Sequence, residues 1–404
     1  MFIKCLNKRT INTLNYFFKW LLISSIISIF SGSASALFLI SLHFVENLRF
    51  DNTWLFYFLP FVGGIIGLFY FYWGKDIAKG NNLIIEEFHE PKRIVPLKMA
   101  PMVLLGTLLT HLVGGSAGRE GTAVQMSGAL SDQLNKWFKF SENDRKIILL
   151  IGVSAGFSSV FGTPLAGAIF ALEIMIFKGE IKYDAIFPSF ISALFADFVC
   201  GLWGVKHTSY LIFEVPDFDW LSFFWCCVLG LFFGLAAYGF KQSMYLFKYL
   251  FKCLTIYEPL KPMLGGIILL LVYLFFNTQK FAGLGIEVIQ NAFVQSQDAI
   301  VFIGKILFTT FTLSAGFKGG EVTPLFFIGA ALGSFLFVFI PLPLSLLAAL
   351  GFVAVFAGAT HTPIACIVMG LELFGVDAAL YFVICVWIAH RFSGKNSIYS
   401  AQKY

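Results

Sequence analysis

An arginine and a glutamate lie next to each other among glycines, between two apolar segments. Residues 115–122 read GSAGREGT, and the flanking apolar segments are 99–113 and 123–134. Ionisable side chains are costly at membrane depth and are tolerated where they face a polar cavity or an ion path. Closely spaced glycines let backbone N–H groups approach a ligand, and a helix that starts beyond them favours an anion. The pattern predicts an anion site at Arg119 and Glu120; a helix-to-helix turn with a paired Arg and Glu is the alternative.

The same pattern returns in the second half of the chain, which favours the functional interpretation over the simple turn. Residues 316–323 read GFKGGEVT, so G-x-x-G-x-E-x-T occurs twice, with Glu321 lying 201 residues after Glu120. Further matches follow in the same order, at offsets from 199 to 203 residues, and pair 60–66 with 262–268, 80–84 with 283–287, and 163–173 with 362–372. We therefore predict that the chain contains two repeats.

The composition requires a membrane environment. Hydrophobic residues make up 58% of the 404 residues and charged residues 13%, whereas soluble domains have about 45–50% and about 25%. The uncharged run 20–42 is long enough to span a bilayer and is followed by a second run, 54–74. Basic residues precede the first run, which is too long for a signal peptide, so we expect a retained helix with a cytoplasmic N-terminus.

Beyond these two runs the apolar segments are shorter and are interrupted by glycine and proline. Short, broken helices are typical of transporter cores, where their ends line a cavity. We predict an all-α polytopic membrane protein with an inverted-topology repeat, because the basic segment 136–146 corresponds to the uncharged segment 341–345. Spacing alone leaves a parallel repeat open. Inversion would bring residues 80–84, 118–122 and 320–324 together near the midplane.

Charged residues, cysteines and histidines argue against several other classes of protein. The net charge of +5 is spread over connecting segments with no basic, aromatic-interleaved run, so no nucleic-acid binding is predicted. The seven cysteines show no C-x-x-C spacing, and we predict neither a metal site nor a cofactor. We interpret His111 and His361 as packed polar residues. The last apolar segment ends close to Tyr404, so we expect no C-terminal regulatory domain.

With these motifs the chain resembles the CLC family of chloride channels and anion/proton antiporters, over about residues 15–404. Residues 118–122, GREGT, are similar to the family's G-R-E-G-P loop, whose glutamate is the external gate. Residues 320–324, GEVTP, stand where the family has G-x-F-x-P, and Tyr399 falls on its anion-coordinating tyrosine. Residues 155–167 look like the helix that precedes the family's internal acidic pair. The resemblance implies the CLC fold and a homodimer with one pathway per subunit.

Departures from the family pattern resemble its fluoride-exporting bacterial branch. Residues 80–84, GNNLI, replace the chloride-selecting G-S-G-I-P loop. Thr122 replaces the proline of G-R-E-G-P, and Val322, with Glu321 before it, replaces the phenylalanine of G-x-F-x-P. Ile174 stands where chloride/proton antiporters carry an internal proton-transfer glutamate. This joint pattern implies fluoride/proton antiport in a bacterial plasma membrane; the alternative is a chloride/proton antiporter or a chloride channel of the same fold.

The predicted site combines a movable carboxylate with helix N-termini. Ionised Glu120 would occupy an anion site and protonated Glu120 would swing away, coupling anion and proton fluxes in opposite directions. The expected fluoride donors are the N–H groups of 80–83 and 119–122, with the hydroxyls of Thr323 and Tyr399. The predicted anion-binding residues are Gly80, Asn81, Asn82, Leu83, Arg119, Gly121, Thr122, Val322, Thr323 and Tyr399.

For several of these residues a structural role stays open. Glu321 is a proton relay, an anion ligand, or a carboxylate stabilised by a helix dipole. Asn81 is a selectivity residue or an N-cap, and Tyr399 an anion donor or an interfacial tyrosine. Glu120 is a gate or a salt-bridge partner of Arg119, although adjacent side chains do not usually face each other.

The predicted organisation is a cytoplasmic segment 1–14 and a transport domain 15–404, with repeats 50–205 and 218–390 and a C-terminal helix 391–404. We expect Glu173 and Glu372, each at the far end of a helix, to be structural. An enzyme is disfavoured because the sequence shows no nucleophile-base pair or metal cluster. A purely structural or sensory subunit would leave the acidic glycine turns unexplained.

Overall fold

The computed structural model describes residues 2–175 and 183–402, with side chains from residue 13 onward. This part of the chain is helical and contains no β-strand, only an isolated bridge between Gly118 and Gly320. The helices are α1 (Phe2–Asp51), α2 (Leu59–Trp73), α3 (Asn81–His89), α4 (Met99–Leu112), α5 (Glu120–Asp132), α6 (Leu134–Phe138), α7 (Glu142–Phe161), α8 (Pro164–Ile174), α9 (Ile186–Leu202), α10 (Trp220–Cys253), α11 (Lys261–Phe276), α12 (Ile286–Ala292), α13 (Ala299–Ala315), α14 (Val322–Leu336), α15 (Leu344–Thr360), α16 (Pro363–Phe374) and α17 (Ala379–Phe392).

In each half of the chain, long apolar helices are followed by shorter ones, as the sequence predicts. Five helical segments of the described chain are long and apolar enough to cross a membrane, namely Thr13–Asp51, Thr53–Trp73, Tyr183–Leu202, Trp220–Cys253 and Glu258–Phe276. The apolar helices α4, α8 and α13–α17 have only 10–17 residues. Proline and glycine set some of these limits: Pro164 and Pro363 begin α8 and α16, and Gly162, with φ +70°, follows α7. The all-α polytopic prediction is confirmed.

The helices of the two halves correspond one to one. The starts of α2, α5 and α7 each lie 202 residues before the starts of α11, α14 and α15. The long helices α1 and α10 also end 202 residues apart, at Asp51 and Cys253. The first set, α1–α5 and α7–α9, therefore matches the second set, α10–α14 and α15–α17, in order and nearly in register.

The repeat is inverted, because equivalent spanning helices run antiparallel. A Cβ atom at Gly266 of α11 would lie 2.5 Å from the carbonyl oxygen of Leu59, at the start of α2. One turn further along α2, a Cβ atom at Gly63 would clash with the carbonyl of Pro262, one turn earlier in α11. Residues later in α2 thus contact residues earlier in α11, which is the pattern of antiparallel helices. Since both segments are candidate spans, the two-fold axis that relates them lies in the membrane plane.

Two glutamates join the repeats at α8 and α16. Glu173, at the end of α8, accepts hydrogen bonds from N–H groups in the first turn of α16, at 2.7 and 3.1 Å. Glu372, at the end of α16, accepts from N–H groups in the first turn of α8, at 2.7 and 2.9 Å. Each carboxylate satisfies donors that have no partner within their own helix, and the helix dipole favours its charge. This is the structural role expected of both residues.

The C-terminal region differs from the prediction. Helix α17 ends at Phe392, and residues 393–402 form bends and turns rather than the predicted helix over 391–404, whose last two residues lie outside the description. Gly394, with φ +87°, takes a conformation that ends a helix. The segment is held instead by hydrogen bonds of Ile398 and Ala401 to α15 and to the start of α3. The predicted segment 1–14 falls mostly on residues without described side chains, and the domain limits stay predictions.

Candidate functional site

Gly118 and Gly320 join the two repeats at the centre of the molecule. The N–H of Gly118 donates to the carbonyl of Gly320 at 2.6 Å, and the reverse hydrogen bond measures 2.7 Å. A Cβ atom at Gly320 would lie 2.8 Å from the backbone nitrogen of Gly121. The absence of a side chain therefore lets the first turns of α5 and α14 meet.

This bridge corrects the register that the sequence pattern suggests. The repeated G-x-x-G-x-E-x-T pattern aligns Glu120 with Glu321 at an offset of 201 residues. The bridged glycines and the helix starts are instead 202 residues apart, so Glu120 corresponds to Val322 and Arg119 to Glu321. The second turn contains two adjacent glycines; the pattern uses the first, whereas the bridge uses the second. Glu321 is therefore not the counterpart of Glu120.

The Glu120 side chain is bound at the start of the equivalent helix. Glu120 is 1% exposed, and its carboxylate accepts hydrogen bonds from the backbone N–H of Thr323 at 3.0 Å and from the Thr323 hydroxyl. The N–H of Arg119 also donates to it, at 3.1 Å. The first turn of a helix has N–H groups without helical partners and carries the positive end of the dipole. The carboxylate thus lies where α14 favours an anion.

Arg119 and Glu120 lie closer together than expected for adjacent side chains. Arg119 Nε is 3.6 Å from Glu120 Oε1, within ion-pair distance. However, this Nε makes no hydrogen bond to another described residue, whereas the carboxylate has its own donors on Thr323 and the backbone. The arginine therefore contributes charge to the site without fixing the carboxylate by a directed hydrogen bond.

A small cavity adjoins Glu120. Its volume is about 10 Å³, close to what a single water-sized particle needs. Asn81, Glu120 and Tyr399 supply polar groups, Gly121 and Val322 also line the cavity, and the remaining lining side chains are apolar. We call this space the central cavity. Residues from the three segments 80–84, 118–122 and 320–324 meet here, as an inverted repeat predicts.

The backbone donors around the central cavity are fewer than the predicted set. The N–H groups of Gly80, Asn82 and Leu83 donate to nearby carbonyls at 3.1, 3.2 and 3.0 Å. The N–H of Thr122 similarly donates to the carbonyl of Arg119 at 3.2 Å. By contrast, the N–H groups at 81, 120 and 121 donate to no other described residue. Tight turns consume the first group, so the second group supplies the free donors.

Asn81 faces the site and does not cap its helix. The residue before α3 is Gly80, with φ +58°, and no side chain caps the helix there. The Asn81 amide nitrogen lies 3.0 Å from the position of a Cβ at Gly121, and its Oδ1 has no partner among the described residues. The N-cap alternative for Asn81 is therefore not observed. Its neighbour Asn82 accepts a hydrogen bond from the N–H of Ala401 at 2.9 Å.

Neither Leu83 nor Thr122 lines the central cavity, although both were predicted site residues. Leu83 is buried in the apolar core. The hydroxyl of Thr122 is buried and lies 2.7 Å from that of Thr107. Tyr399, 5% exposed, does line the cavity, so the interfacial position considered for it is not observed.

Larger spaces lie on either side of the centre. The Arg119 vestibule has a volume of about 460 Å³ and is lined by Arg119, Glu46, Lys206 and His207 among others. The Asn81 chamber, of about 190 Å³, shares Asn81 and Tyr399 with the central cavity and also contains Lys248, Lys318 and Glu321. The Lys248 vestibule, of about 670 Å³, shares Lys248 and Tyr399 with the Asn81 chamber. The Lys248 vestibule, the Asn81 chamber and the central cavity beside Glu120 are thus adjacent spaces that share lining residues.

Sequence analysis missed several charged residues of these spaces. Glu46 accepts hydrogen bonds from the N–H of Leu284 at 3.2 Å and from His111 Nδ1 at 3.3 Å. The Lys318 ammonium lies 4.0 Å from the ring centroid of Tyr70. Charges within apolar helices, such as Glu46 near the end of α1 and Lys248 in α10, are the signal that could have identified them.

Comparison with known proteins identifies a family whose sequence pattern matches most of this chain. Residues 62–394 match the voltage-gated chloride channel family. The chain is 45% identical over 399 residues to a chloride/fluoride channel protein of Pseudomonas syringae pv. tomato. The alignment covers 97% of this chain and 88% of that protein.

Solved structures agree with the fold. A crystal structure of a CLC-type fluoride/proton antiporter superposes with a TM-score of 0.91 at 33% identity, covering 96% of this chain and 98% of that one. A slow cyanobacterial chloride/proton antiporter gives a TM-score of 0.80 at 20% identity, covering 93% and 94%. The second similarity supports the fold alone, whereas the first also carries substantial sequence identity.

Proposed function

The chain belongs to the CLC family, the voltage-gated chloride channels, and on this basis we propose that it is a secondary transporter exporting fluoride in exchange for protons. The observation that carries the proposal is the Glu120 carboxylate bound by Thr323 at the start of α14. A protonatable group already occupies a position suited to an anion. The solved fluoride/proton antiporter with 33% identity supports the choice of ion.

Competition between Glu120 and fluoride would couple the two fluxes. The ionised carboxylate and a fluoride ion need the same N–H and O–H donors, so one displaces the other. Protonation removes the charge that holds Glu120 at α14, and the side chain leaves with its proton. Fluoride moving outward and protons moving inward then pass through one binding position in opposite directions.

The small size of the central cavity suits fluoride. Fluoride is strongly hydrated, and its dehydration must be offset by close donors. We assign this role to the free N–H groups at 81, 120 and 121, to the Asn81 amide, and to the hydroxyls of Thr323 and Tyr399. Dipoles and hydroxyls bind an anion weakly enough for release, which a directly coordinating cation would hinder.

Glu321 is the candidate relay for protons beyond Glu120. It lines the Asn81 chamber, and its Oε2 is buried without a partner among the described residues. Ile174, which replaces the internal glutamate of chloride/proton antiporters, lines the central cavity. We propose that the proton passes from Glu120 toward Glu321 rather than along that route.

The proposed location is a bacterial plasma membrane, with the protein a homodimer. A cytoplasmic N-terminus places the end of α1, and with it Glu46 and the Arg119 vestibule, on the outer side. The Lys248 vestibule then opens to the cytoplasm. Multi-angle light scattering of the purified protein in detergent tests the dimer, since a monomer mass contradicts it.

Proteoliposomes test the exchange directly. Liposomes containing the protein are loaded with fluoride or chloride, the membrane voltage is clamped with a potassium ionophore, and anion efflux and external pH are recorded together. We expect fast fluoride loss, external alkalinisation and little chloride loss. Equal chloride flux would favour the chloride-transport alternative, and fluoride loss without a pH change would favour a channel. Flux without any added reactant also argues against an enzyme.

A further inference from the structure

Equivalent faces of α1 and α10 line the two vestibules. Positions 39, 40, 42, 43 and 46 of α1 face the Arg119 vestibule. Positions 241, 242, 244, 245 and 248 of α10, each 202 residues later, face the Lys248 vestibule. The pseudo-symmetry of the fold therefore makes each vestibule wall the counterpart of the other, so that their side chains can be compared position by position.

These two walls differ in charge. Leu39, Ile40 and Glu46 stand on the α1 wall where Lys241, Gln242 and Lys248 stand on the α10 wall. The α1 wall, which carries one acid and His43, thus corresponds to an α10 wall that carries two lysines and no acid. Lys395 adds a third lysine to the Lys248 vestibule, whose lining contains no aspartate or glutamate.

The three lysines make no ion pair with a described carboxylate. Lys241 is half-buried; its ammonium donates to the carbonyl of Gly358 at 3.1 Å and lies 3.3 Å from His361 Nε2, and neither partner carries a negative charge. Lys248 and Lys395 are exposed in the vestibule. Glu321 lines the adjoining Asn81 chamber together with Lys248. The vestibule therefore has a net positive lining, whereas Glu46 partly offsets Arg119 and Lys206 in the other vestibule.

We propose that Lys241, Lys248 and Lys395 form a collecting site for cytoplasmic fluoride, which makes the exchange asymmetric between the two membrane faces. The inference rests on the proposed fluoride/proton exchange. A concave surface of one charge raises the local concentration of the opposite ion. Because Lys248 and Tyr399 also line the Asn81 chamber, the collected anion is delivered toward the central cavity. The exposed ammonium groups of Lys248 and Lys395 attract fluoride without trapping it.

Sided vesicles test this asymmetry. Fluoride-driven proton movement is measured in inverted vesicles, which expose the cytoplasmic face, and in right-side-out vesicles from the same cells, with protein-free vesicles as background. The variants are Lys248→Gln, the triple variant Lys241→Gln/Lys248→Gln/Lys395→Gln, and Lys248→Arg. Lys252→Gln is the matched control, because Lys252 is an exposed lysine one turn further along α10 and lines none of the described spaces.

The expected effect is on KM and depends on salt. In inverted vesicles at low ionic strength, Lys248→Gln should raise the fluoride KM roughly threefold and the triple variant about tenfold, with unchanged kcat. At about 0.5 M potassium gluconate the differences should fall below about twofold, because salt screens exposed charges. Lys248→Arg and Lys252→Gln should match the wild type, and right-side-out KM should not change.

Several outcomes would overturn the collecting site. These are an unchanged KM in inverted vesicles, an equal rise from both faces, a fall in kcat alone, or an effect that persists at high salt. The last three indicate a structural role for the lysines. If the wild-type protein moves no protons with fluoride, the proposed exchange itself fails, whatever the lysine variants show.

Discussion

The first turns of α5 and α14 occupy equivalent positions but differ in every side chain that bears charge. Each follows a bridged glycine, Gly118 or Gly320, and each directs backbone N–H groups toward the centre. The α5 turn begins with Arg119 and Glu120, the α14 turn with Glu321 and Val322. Both repeats thus have a glycine followed by a helix N-terminus, whereas the carboxylate bound at that position comes from the first repeat alone.

This difference explains how a symmetric frame can serve an exchange in which the two ions play different parts. Glu120 reaches across the bridge and binds Thr323 at the start of α14. The equivalent position, Val322, cannot reach back in the same way because it has no polar group. In the proposed exchange, one carboxylate would therefore compete for one position, with no second carboxylate at the equivalent place.

The largest expected effect comes from neutralising the carboxylate that reaches from the α5 turn to α14. Glu120→Gln keeps an acceptor for Thr323 but removes the proton-carrying group, so fluoride-driven proton movement in proteoliposomes should fall at least 100-fold. Glu372→Gln is the matched control, since it neutralises a carboxylate that caps α8, and it should keep the coupling. Undiminished proton uptake in the Glu120 variant would refute its assignment as the gate.

The bridge itself is the next test. Gly320→Ala would place a Cβ atom 2.8 Å from the nitrogen of Gly121 and 3.2 Å from that of Glu120. Backbone atoms cannot move aside cheaply, so we expect at least a tenfold lower transport rate per folded protein and a lower Tm in detergent. Gly239→Ala, at a helical position with nothing within 4 Å, should keep both values. Wild-type transport by Gly320→Ala would show that the bridge is dispensable.

The first turns of α3 and α12 provide a smaller contrast. Asn81 begins α3 and lines the central cavity, whereas Glu287 in the first turn of α12 is exposed. Asn81→Ser removes the amide, and we expect about a tenfold loss of selectivity for fluoride over chloride. Glu287→Gln should leave selectivity unchanged. An unaltered flux ratio in the Asn81 variant would remove this residue from the selectivity set.

The fold class was predictable because membrane-spanning helices and an internal repeat both leave recognisable patterns in the sequence. Uncharged runs such as 20–42 indicate spans, and matched motifs such as 60–66 and 262–268 indicate equivalent helices. The register was less secure: the repeated pattern fits Gly319, because Glu321 and Thr323 then align with Glu120 and Thr122, whereas the hydrogen-bonded bridge pairs Gly118 with Gly320. The helix predicted after 391 failed at Gly394, whose positive φ the sequence allows but does not require.

The residues of the site were harder to place than its segments. Motif spacing brought 80–84, 118–122 and 320–324 together, but it does not show which N–H groups tight turns already use. Leu83 and Thr122 were included because their N–H groups were expected to be free. Both N–H groups donate to nearby carbonyls, and neither residue lines the central cavity. Lys248 was missed because it lies in a long span outside the repeated motifs; its charge within an apolar helix was the available signal, and the structure places it on the Asn81 chamber and the Lys248 vestibule.

The smallest expected effect concerns the two glutamates that cap α8 and α16, which have the same role in both repeats. Glu173 and Glu372 cap α16 and α8 with nearly the same geometry, so their glutamine variants should destabilise the protein equally, by about 1 kcal/mol each. Thermal unfolding in detergent should show two similar, small decreases in Tm. Coupling should survive in both, which separates them from Glu120→Gln. If one variant loses coupling while the other does not, the two caps differ in function despite their similar geometry. The glutamate whose variant loses coupling then belongs to the proton path.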